Sequence, residues 1–260
     1  MNQAQEQPYA RLEAALAGSP FERVRYVEET ASTNDDAAAL LGDEQFAGLS
    51  IVAEHQTRGA GRKGRSWIAR PGTSLLVTTI LPRPVAAQAL WLVPFWVALA
   101  ARRALGSCGI AVELHWPNDL LLGDSKLGGI LCVSRVAGAV AWVACGVGIN
   151  VVRPGSGDDE IVPVPAFCDD VAPVERADLL HALLRSYDTT LGELDDERAV
   201  VRSWQSAAGV PGRRYRLLVD GERAPFEASA LALERGGALM VERDNGVRQT
   251  VSLADARALR

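Results

Sequence analysis

The segment 54–67 combines glycines and basic residues in a spacing that suits an anionic ligand. Glycine lets the backbone approach a ligand closely, and arginine offers forked donors that match carboxylate and phosphate oxygens. We therefore expect an anion to bind here, the alternative being a solvated turn with scattered charge. Trp67 closes the segment. The glycines and basic residues are Gly59, Gly61, Gly64, Arg58, Arg62, Lys63 and Arg65.

The same segment nearly matches two nucleotide-binding motifs, and its context fits neither. Its glycines spell the dinucleotide fingerprint, but that fingerprint must open a helix, which Pro71-Gly72 would end. It also resembles a P-loop, except that Arg65 stands where that motif requires lysine. The sequence therefore predicts a long cationic loop between two strands, mobile before a ligand binds.

Four further polar groups lie at the ends of predicted elements: Ser32-Thr33-Asn34, Trp116-Pro117-Asn118-Asp119, Lys126 before Gly128-Gly129, and Asn150. Side-chain oxygens of Asn118 or Asp119 could coordinate Mg²⁺. Lys126 could bind an anion, because the glycines that follow it let a ligand come close to the backbone. The simpler interpretations are a helix cap and a surface lysine in a turn. Together the groups favour a nucleotide and a small carboxylate as ligands.

Length and composition are those of an ordinary globular enzyme. The chain has 260 residues, of which 48% are hydrophobic, and its formal net charge is −5. The cationic loop is therefore a local feature rather than part of a nucleic-acid-binding face. Four cysteines without metal or C-x-x-C spacing favour a reducing, cytoplasmic setting. The first residues do not resemble a secretory signal, and we expect no run that approaches a membrane span.

Hydrophobic periodicity places these groups on a fold of the α+β class. The central sheet is expected to be mixed or antiparallel and flanked by helices, in a domain that covers residues 1–210. Pro94 either kinks its helix or begins the second half. Strands are predicted at 23–29, 50–53 and 74–81 and in a meander from 112 to 150, and helices at 9–17, 37–41, 86–105, 176–194 and 197–207.

Residues 211–260 form a second unit in this prediction. Pro211-Gly212 marks its start, and short alternating runs follow, separated by Asp220-Gly221, Gly236-Gly237 and Asn245-Gly246. Asn-Gly is a strong hairpin signal. We therefore expect a small β-barrel or sandwich at the C-terminus.

Taken in order, the motifs resemble those of the biotin protein ligases, also called biotin–[acetyl-CoA-carboxylase] ligases. Each motif alone is weak, but five in the family's order and spacing are specific, and the resemblance covers roughly residues 20–260. It implies a class II synthetase-like catalytic domain with a C-terminal SH3-like β-barrel. The matching pieces are Ser32-Thr33-Asn34, Gln56 to Trp67, Trp116-Pro117-Asn118-Asp119, Lys126-Leu127-Gly128-Gly129-Ile130 and Gly146-Val147-Gly148-Ile149-Asn150.

The resemblance implies a two-step reaction that uses ATP and Mg²⁺. Biotin is activated to biotinyl-5′-AMP with release of pyrophosphate, and is then transferred to a lysine of the biotin carboxyl carrier domain of acyl-CoA carboxylase. The first step brings two anions together, and Arg62 and Lys126 would act as catalytic residues by offsetting their repulsion. A loop that orders over the adenylate would protect it from water.

Each matched position receives a role by the same resemblance. Ser32, Thr33 and Gln56 would hydrogen-bond the ureido ring of biotin. Asp119 is the candidate Mg²⁺ ligand. The implied biotin-binding set is Ser32, Thr33, Asn34, Gln56, Gly59, Ala60, Gly61, Arg62, Trp67, Lys126, Gly128 and Gly129. The implied ATP and adenylate set is Arg58, Arg65, Trp67, Asn118, Asp119, Lys126 and Asn150.

The chain departs from the family pattern at two positions. His115 stands where the family usually has lysine, and Ala60 where the loop often carries another arginine. Either change could alter ATP affinity or retention of the intermediate. About 30 residues precede Ser32, too few for the winged helix of repressor-type members. We therefore expect a ligase that binds neither nucleic acid nor membrane, as a monomer or a weak, ligand-dependent homodimer.

Two other functions fit parts of the sequence. A lipoate or octanoate ligase or transferase would share the catalytic fold, but the cationic loop and the C-terminal β module argue against it. A nucleic-acid-binding module could use the 54–67 segment, but it should carry several stacking aromatics and a basic face. Only Trp67 lies among these cations, and the chain is acidic.

Overall fold

The computed structural model of the chain describes residues 9–155, 163–254 and 256–259. An eight-stranded mixed sheet forms its centre, in the order β1-β2-β3-β8-β7-β6-β5, with β4 paired to β8. This confirms the predicted class and the predicted meander. The strands are β1 Val24–Thr30, β2 Ser50–Gln56, β3 Ser74–Ile80, β4 Val85–Ala86, β5 Glu113–His115, β6 Asp119–Leu122, β7 Ser125–Ala137 and β8 Val140–Asn150.

Helices cover both faces of this sheet. On one face, a cluster of buried apolar residues packs the short helix after β1 and the turn that follows it against β2, β3 and β8. On the opposite face, a larger cluster packs two long helices against the sheet. Each face buries apolar side chains that alternate along the strands. The helices are α1 Ala10–Ala15, α2 Thr33–Ala38, α3 Val93–Ser107, α4 Arg176–Thr190 and α5 Glu197–Ala208.

Two helix predictions need correction. The helix predicted at 37–41 begins earlier, because α2 starts at Thr33 with Ser32 in the N-cap position, and the Ser32 side chain makes no cap bond. The single helix predicted at 86–105 is divided into a 3₁₀ segment, Ala87–Leu92, and α3. Pro94 lies in the first turn of α3, where its missing N–H costs nothing, so it begins the second half rather than kinking a continuous helix.

The run Ala87–Ser107 is long and apolar enough to cross a membrane by length and composition, which corrects the expectation that no run approaches a span. Most of this run is buried inside the protein, however. Phe95 and Trp96 are almost fully buried in the larger core cluster. The apolar character of α3 is therefore that of a core helix.

The C-terminal residues form a second, five-stranded antiparallel sheet with the order β12-β11-β10-β9-β13. The last strand was not predicted. Among the described residues no pairing joins the edge strands β12 and β13. The strands therefore form an open sheet and not the expected closed barrel. The strands are β9 Arg214–Val219, β10 Phe226–Leu233, β11 Leu239–Arg243, β12 Arg248–Val251 and β13 Ala256–Leu259.

The two sheets share a continuous buried core, which crosses the predicted boundary at residue 211. Trp116 lies at their junction and is fully buried. Its indole Nε1 donates a 3.0 Å hydrogen bond to the backbone oxygen of Gly237, and its backbone N–H donates to the Tyr215 hydroxyl at 3.2 Å. A Cβ at Gly237 would lie 2.7 Å from Leu253 and 2.9 Å from Phe95, so the backbone there must lack a side chain.

We predict that Gly237→Ala lowers the free energy of unfolding by about 1–3 kcal/mol more than Gly236→Ala, because only the first methyl overpacks the junction. Both glycines have positive φ, of 83° at Gly236 and 79° at Gly237, so backbone strain is common to both variants. Gly236 has open space around its Cβ position. Denaturant titration measures the difference, and equal losses would contradict the tight contact.

Candidate functional site

A cavity of about 650 Å³ lies between the central sheet and residues 57–73, which connect β2 to β3 and are called the 57–73 loop below. Its walls come from the start of α2, from strands β3, β7 and β8, and from this loop. Most residues that the sequence singled out meet here. The predicted residues that line the cavity are Ser32, Thr33, Asn34, Gln56, Ala60, Gly61, Arg62, Arg65, Trp67, Asn118, Lys126, Gly129 and Asn150.

Strand pairing explains why motifs that are distant in sequence converge. Strands β6, β7 and β8 are neighbours in the sheet. Gly129 is the register partner of Asp119 on one side and of Gly148 on the other. The three motifs that contain these residues therefore lie side by side, and their polar ends reach the same edge of the cavity.

The start of α2 is fixed by side chains from two strands. Both the backbone N–H and the hydroxyl of Thr33 donate to Gln56 Oε1, at 2.8 and 3.0 Å. The Thr78 hydroxyl lies 2.8 Å from both Thr33 Oγ1 and Asn34 Oδ1. Asn34 Nδ2 donates to the backbone oxygen of Leu131 at 3.0 Å. These tertiary contacts, rather than a local cap, hold the α2 end at the cavity.

The floor of the cavity is bare backbone at two glycines. A Cβ at Gly146 would lie 2.3 Å from Asn34 Oδ1 and 2.6 Å from the backbone oxygen of Leu131. A Cβ at Gly148 would lie 2.9 Å from the Trp67 indole. No side chain fits at such distances, so both positions require glycine. The Gly146–Asn150 motif thus makes room for Asn34 and Trp67.

Lys126 carries a positive charge into the cavity wall. Its Nζ lies 2.6 Å from Asp119 Oδ1 and 5.5 Å from the centroid of the Trp67 ring. The two side chains of the ion pair are mostly buried. The carboxylate and the face of the indole both attract a cation at this position. An incoming anion would therefore meet a preformed positive centre beside an indole.

The 57–73 loop forms a short hairpin over the cavity. Gly61 N donates to Arg65 O at 2.7 Å, and Trp67 N donates to Gly59 O at 2.8 Å. Arg62 lies in a 3₁₀ turn at the tip, Arg62–Gly64. Burial and the like charge of Arg65 lower the pKa of Arg62, and Asp119 opposes the shift. A guanidinium remains cationic at neutral pH despite such a shift, so the tip presents positive charge to the cavity.

Four of the predicted residues do not line the cavity. Arg58 is exposed. Gly59 lies under the loop, where a Cβ would be 2.4 Å from the Trp67 backbone oxygen. Gly128 is packed between strands, with the Gly148 oxygen 2.8 Å from its Cβ position. Asp119 is not part of the lining and forms an ion pair with Lys126, which is.

Two asparagines at the cavity wall use their amide groups to hold backbone. Asn118 Nδ2 donates to Ile130 O at 2.7 Å, and Asn150 Nδ2 donates to Ala166 O at 3.0 Å. Asn118 Oδ1 is buried and accepts no hydrogen bond from any described residue. A buried acceptor of this kind suits a ligand or cation, because buried polar atoms are normally paired.

Metal ligands are sparse in the described residues. No group of three or more His, Cys, Asp or Glu side chains could hold an ion there. Asn118 Oδ1 and the neighbouring Asp119 carboxylate are nevertheless oxygen donors of the type that Mg²⁺ prefers. Such a pair fits an ion whose other ligands come from substrate phosphates, rather than a resident structural metal.

Two parts of the cavity wall could not be recognised from the sequence: the segment that follows Asn150, and the Thr78 hydroxyl at the start of α2. Phe167 lies between β8 and α4, where the sequence predicts no helix or strand, and Arg153 stacks on its ring at 4.5 Å. Thr78 lies in a run of apolar and β-branched residues typical of any buried strand, so no local signal marked it. The residues that line the cavity without having been predicted include Ser66, Arg70, Thr73, Ser74, Thr78, Pro163, Pro165 and Phe167.

Comparison with known proteins shows to which family this chain belongs. The model of the biotin/lipoate A/B protein ligase family matches residues 26–150. A biotin–[acetyl-CoA-carboxylase] ligase of Paracoccus denitrificans is 39% identical over 178 residues, which cover 64% of this chain and 72% of that protein. The chain belongs to the biotin/lipoate A/B protein ligase family. This confirms the family expected from the five motifs.

Other family members extend the match. A biotin–[acetyl-CoA-carboxylase] ligase of Mycobacterium tuberculosis is 33% identical over 189 residues, which cover 67% of this chain and 66% of that protein. The biotin protein ligase of Aquifex aeolicus, solved in complex with biotin and ATP, superposes with a TM-score of 0.72 at 20% identity. That likeness covers 92% of this chain and 100% of the other, and it confirms the predicted fold.

We predict that Thr78→Val lowers the free energy of unfolding by about 1–2 kcal/mol, because it leaves the buried Thr33 and Asn34 groups short of a partner without changing volume. Thr189→Val is the matched control, since Thr189 is exposed on α4 and donates within its own helix. Thermal or denaturant unfolding measures both. A Thr78 variant no less stable than the control would contradict the network.

Proposed function

We propose that this ligase-family protein joins biotin to ATP, forming biotinyl-5′-AMP and pyrophosphate, and then transfers biotin to a lysine of a carrier domain. One observation carries the proposal. The Lys126 ammonium, paired with Asp119, faces the same cavity as Trp67 and the polar end of α2. The cavity therefore offers hydrogen-bonding groups at one place and a cation at another, which matches the ureido ring and the carboxylate of biotin.

The polar end of the cavity favours biotin over lipoate or octanoate. Ser32 and Thr33 are buried beside Gln56, whose Oε1 accepts from Thr33. A ureido ring has two N–H donors and a carbonyl acceptor that can pair with such groups. A dithiolane ring or an alkyl chain offers none of these hydrogen bonds, so it would gain less binding energy at this end of the cavity. Names of relatives that are biotin–[acetyl-CoA-carboxylase] ligases support the same choice.

The charges suit the chemistry of the first step. A carboxylate oxygen of biotin attacks the α-phosphorus of ATP, the bond to the pyrophosphate oxygen breaks, and a mixed anhydride forms. Lys126 would stabilise both anions as they approach, and Arg62 would stabilise charge on the phosphoryl oxygens. These groups are held by the fold before the reaction, so their alignment needs no large rearrangement.

The nucleotide would bring its magnesium ion as part of the substrate. Asn118 Oδ1 and Asp119 would hold that ion, which offsets charge on the phosphates. Asn150 and the neighbouring Phe167 wall would receive the adenosine part of ATP. Arg65 and Trp67 would cover the adenylate from the loop side, and the loop would exclude water from the anhydride.

The second step needs no nucleophile from this chain. The ε-amine of an acceptor lysine attacks the acyl carbon of the adenylate, AMP leaves, and the amine loses a proton. We propose the biotin carboxyl carrier domain of acyl-CoA carboxylase as the acceptor and the cytoplasm as the location, where the four free thiols would stay reduced. We further propose that the protein binds neither nucleic acid nor membrane and works as a monomer or a weak, ligand-dependent homodimer.

We predict that the protein transfers labelled biotin, but not lipoate, to a carrier domain in the presence of MgATP. In Lys126→Ala, biotin-dependent pyrophosphate release should fall by about 10²–10³-fold, the usual effect of removing one charge-stabilising group. Arg103→Ala is the control, because Arg103 is an exposed cation paired with Glu193 on another face. Transfer of lipoate instead of biotin would refute the substrate, and a wild-type rate in Lys126→Ala would refute the role of that lysine.

A further inference from the structure

The tip of the 57–73 loop contacts the C-terminal sheet. Arg62 Nη2 donates a 2.6 Å hydrogen bond to the backbone oxygen of Leu253. The neighbouring Lys63 forms an ion pair with Asp220, with Nζ 3.2 Å from Oδ2. Leu253 lies between β12 and β13, and Asp220 follows β9. Two loops that join strands of the C-terminal sheet thus contact two consecutive residues of the 57–73 loop.

The backbone of Lys63 is itself evidence of a constraint. Its φ is 54° and its ψ is 40°, and no other non-glycine residue in the described ranges has a positive φ. Left-handed backbone is unfavourable for a residue with a Cβ and persists where surrounding contacts hold it. The ion pair with Asp220 is such a contact.

The Leu253 acceptor on the C-terminal sheet is in turn packed against the rest of the protein. The Leu253 side chain packs at Gly237, where a Cβ would lie only 2.7 Å from it. The Gly237 backbone oxygen accepts the Trp116 indole N–H, which ties this sheet to the motif beside Lys126. Arg62 is therefore bonded to a part of the C-terminal sheet that is itself tied to the central sheet.

The inner side of the same loop lines the cavity with Gly61, Arg65 and Trp67. We propose that Asp220 is a positioning residue, which acts through Lys63 to hold the 57–73 loop over the cavity before the substrates bind. This inference rests on the proposed function, because the ligands beneath the loop are then biotin and its adenylate. It assigns the C-terminal sheet a part in substrate binding at a distance from the cavity.

The size of the expected effect follows from solvent exposure. The side chains of Lys63 and Asp220 are 24% and 60% exposed, so water screens their attraction. Exposed ion pairs change an equilibrium by about 1.5- to 5-fold. In Asp220→Asn, the Gly61 and Trp67 amides of the substrate-free protein should exchange hydrogen faster by that factor. The KM for biotin should rise by a similar factor while kcat changes less than twofold.

Asp244→Asn is the matched control. Asp244 is an exposed acid of the same sheet, 67% exposed and paired with Arg214, and that pair lies outside the loop contacts. The control should keep wild-type exchange in the loop and a wild-type KM. Lys63→Glu alone should behave like Asp220→Asn, and the double variant Lys63→Glu with Asp220→Lys should restore slow exchange and the low KM.

Two results would overturn the positioning role. One is loop exchange in Asp220→Asn that equals that of Asp244→Asn, and the other is failure of the charge-reversed pair to restore it. The exchange measurement uses no substrate, so it tests the contact independently of the reaction. Absence of biotin transfer by the wild-type protein would refute the proposed function, whereas unchanged exchange with normal transfer would refute only the role of Asp220.

Discussion

The cavity exists because three adjacent strands bring bare backbone and charged side chains to one place. At Gly146 and Gly148 the strand surface has no room for a Cβ, since Asn34 and the Trp67 indole occupy that space. Gly129, which pairs with Asp119 across the strands, leaves room for the Lys126 amine in the same way. A Cβ at Gly129 would lie 3.1 Å from Lys126 Nζ. A side chain on any of these glycines would displace a polar or aromatic group of the site. The positions of Asn34, Trp67 and Lys126 therefore depend on this constraint.

Two cations of the cavity have partners before a ligand arrives. Lys126 is paired with Asp119, and Arg62 is bonded to a backbone oxygen of the second sheet. A substrate with a carboxylate and phosphates can share or replace these partners, and the cost of burying its negative charge is then reduced. The same arrangement would serve both the binding and the activation of a carboxylic acid.

Much of this site follows from sequence, because strand periodicity and glycine spacing place each motif at an element end. The start of α2 could not be predicted in this way. A helix cap is the simpler interpretation of Ser32, Thr33 and Asn34, but the side chains of Thr33 and Asn34 bond to Gln56, Leu131 and Thr78, which are distant in sequence. Thr78 and the Leu253 carbonyl likewise gain their roles from strand register and domain packing. Such contacts leave no local pattern.

The identity of the activated intermediate tests this account most directly. The protein can be incubated with biotin and MgATP in the absence of any carrier domain, and its bound ligand identified by native mass spectrometry. The account predicts a bound species with the mass of biotinyl-5′-AMP and one pyrophosphate released for each. Unreacted biotin and ATP in the cavity, or an adenylate formed with lipoate and not with biotin, would contradict it.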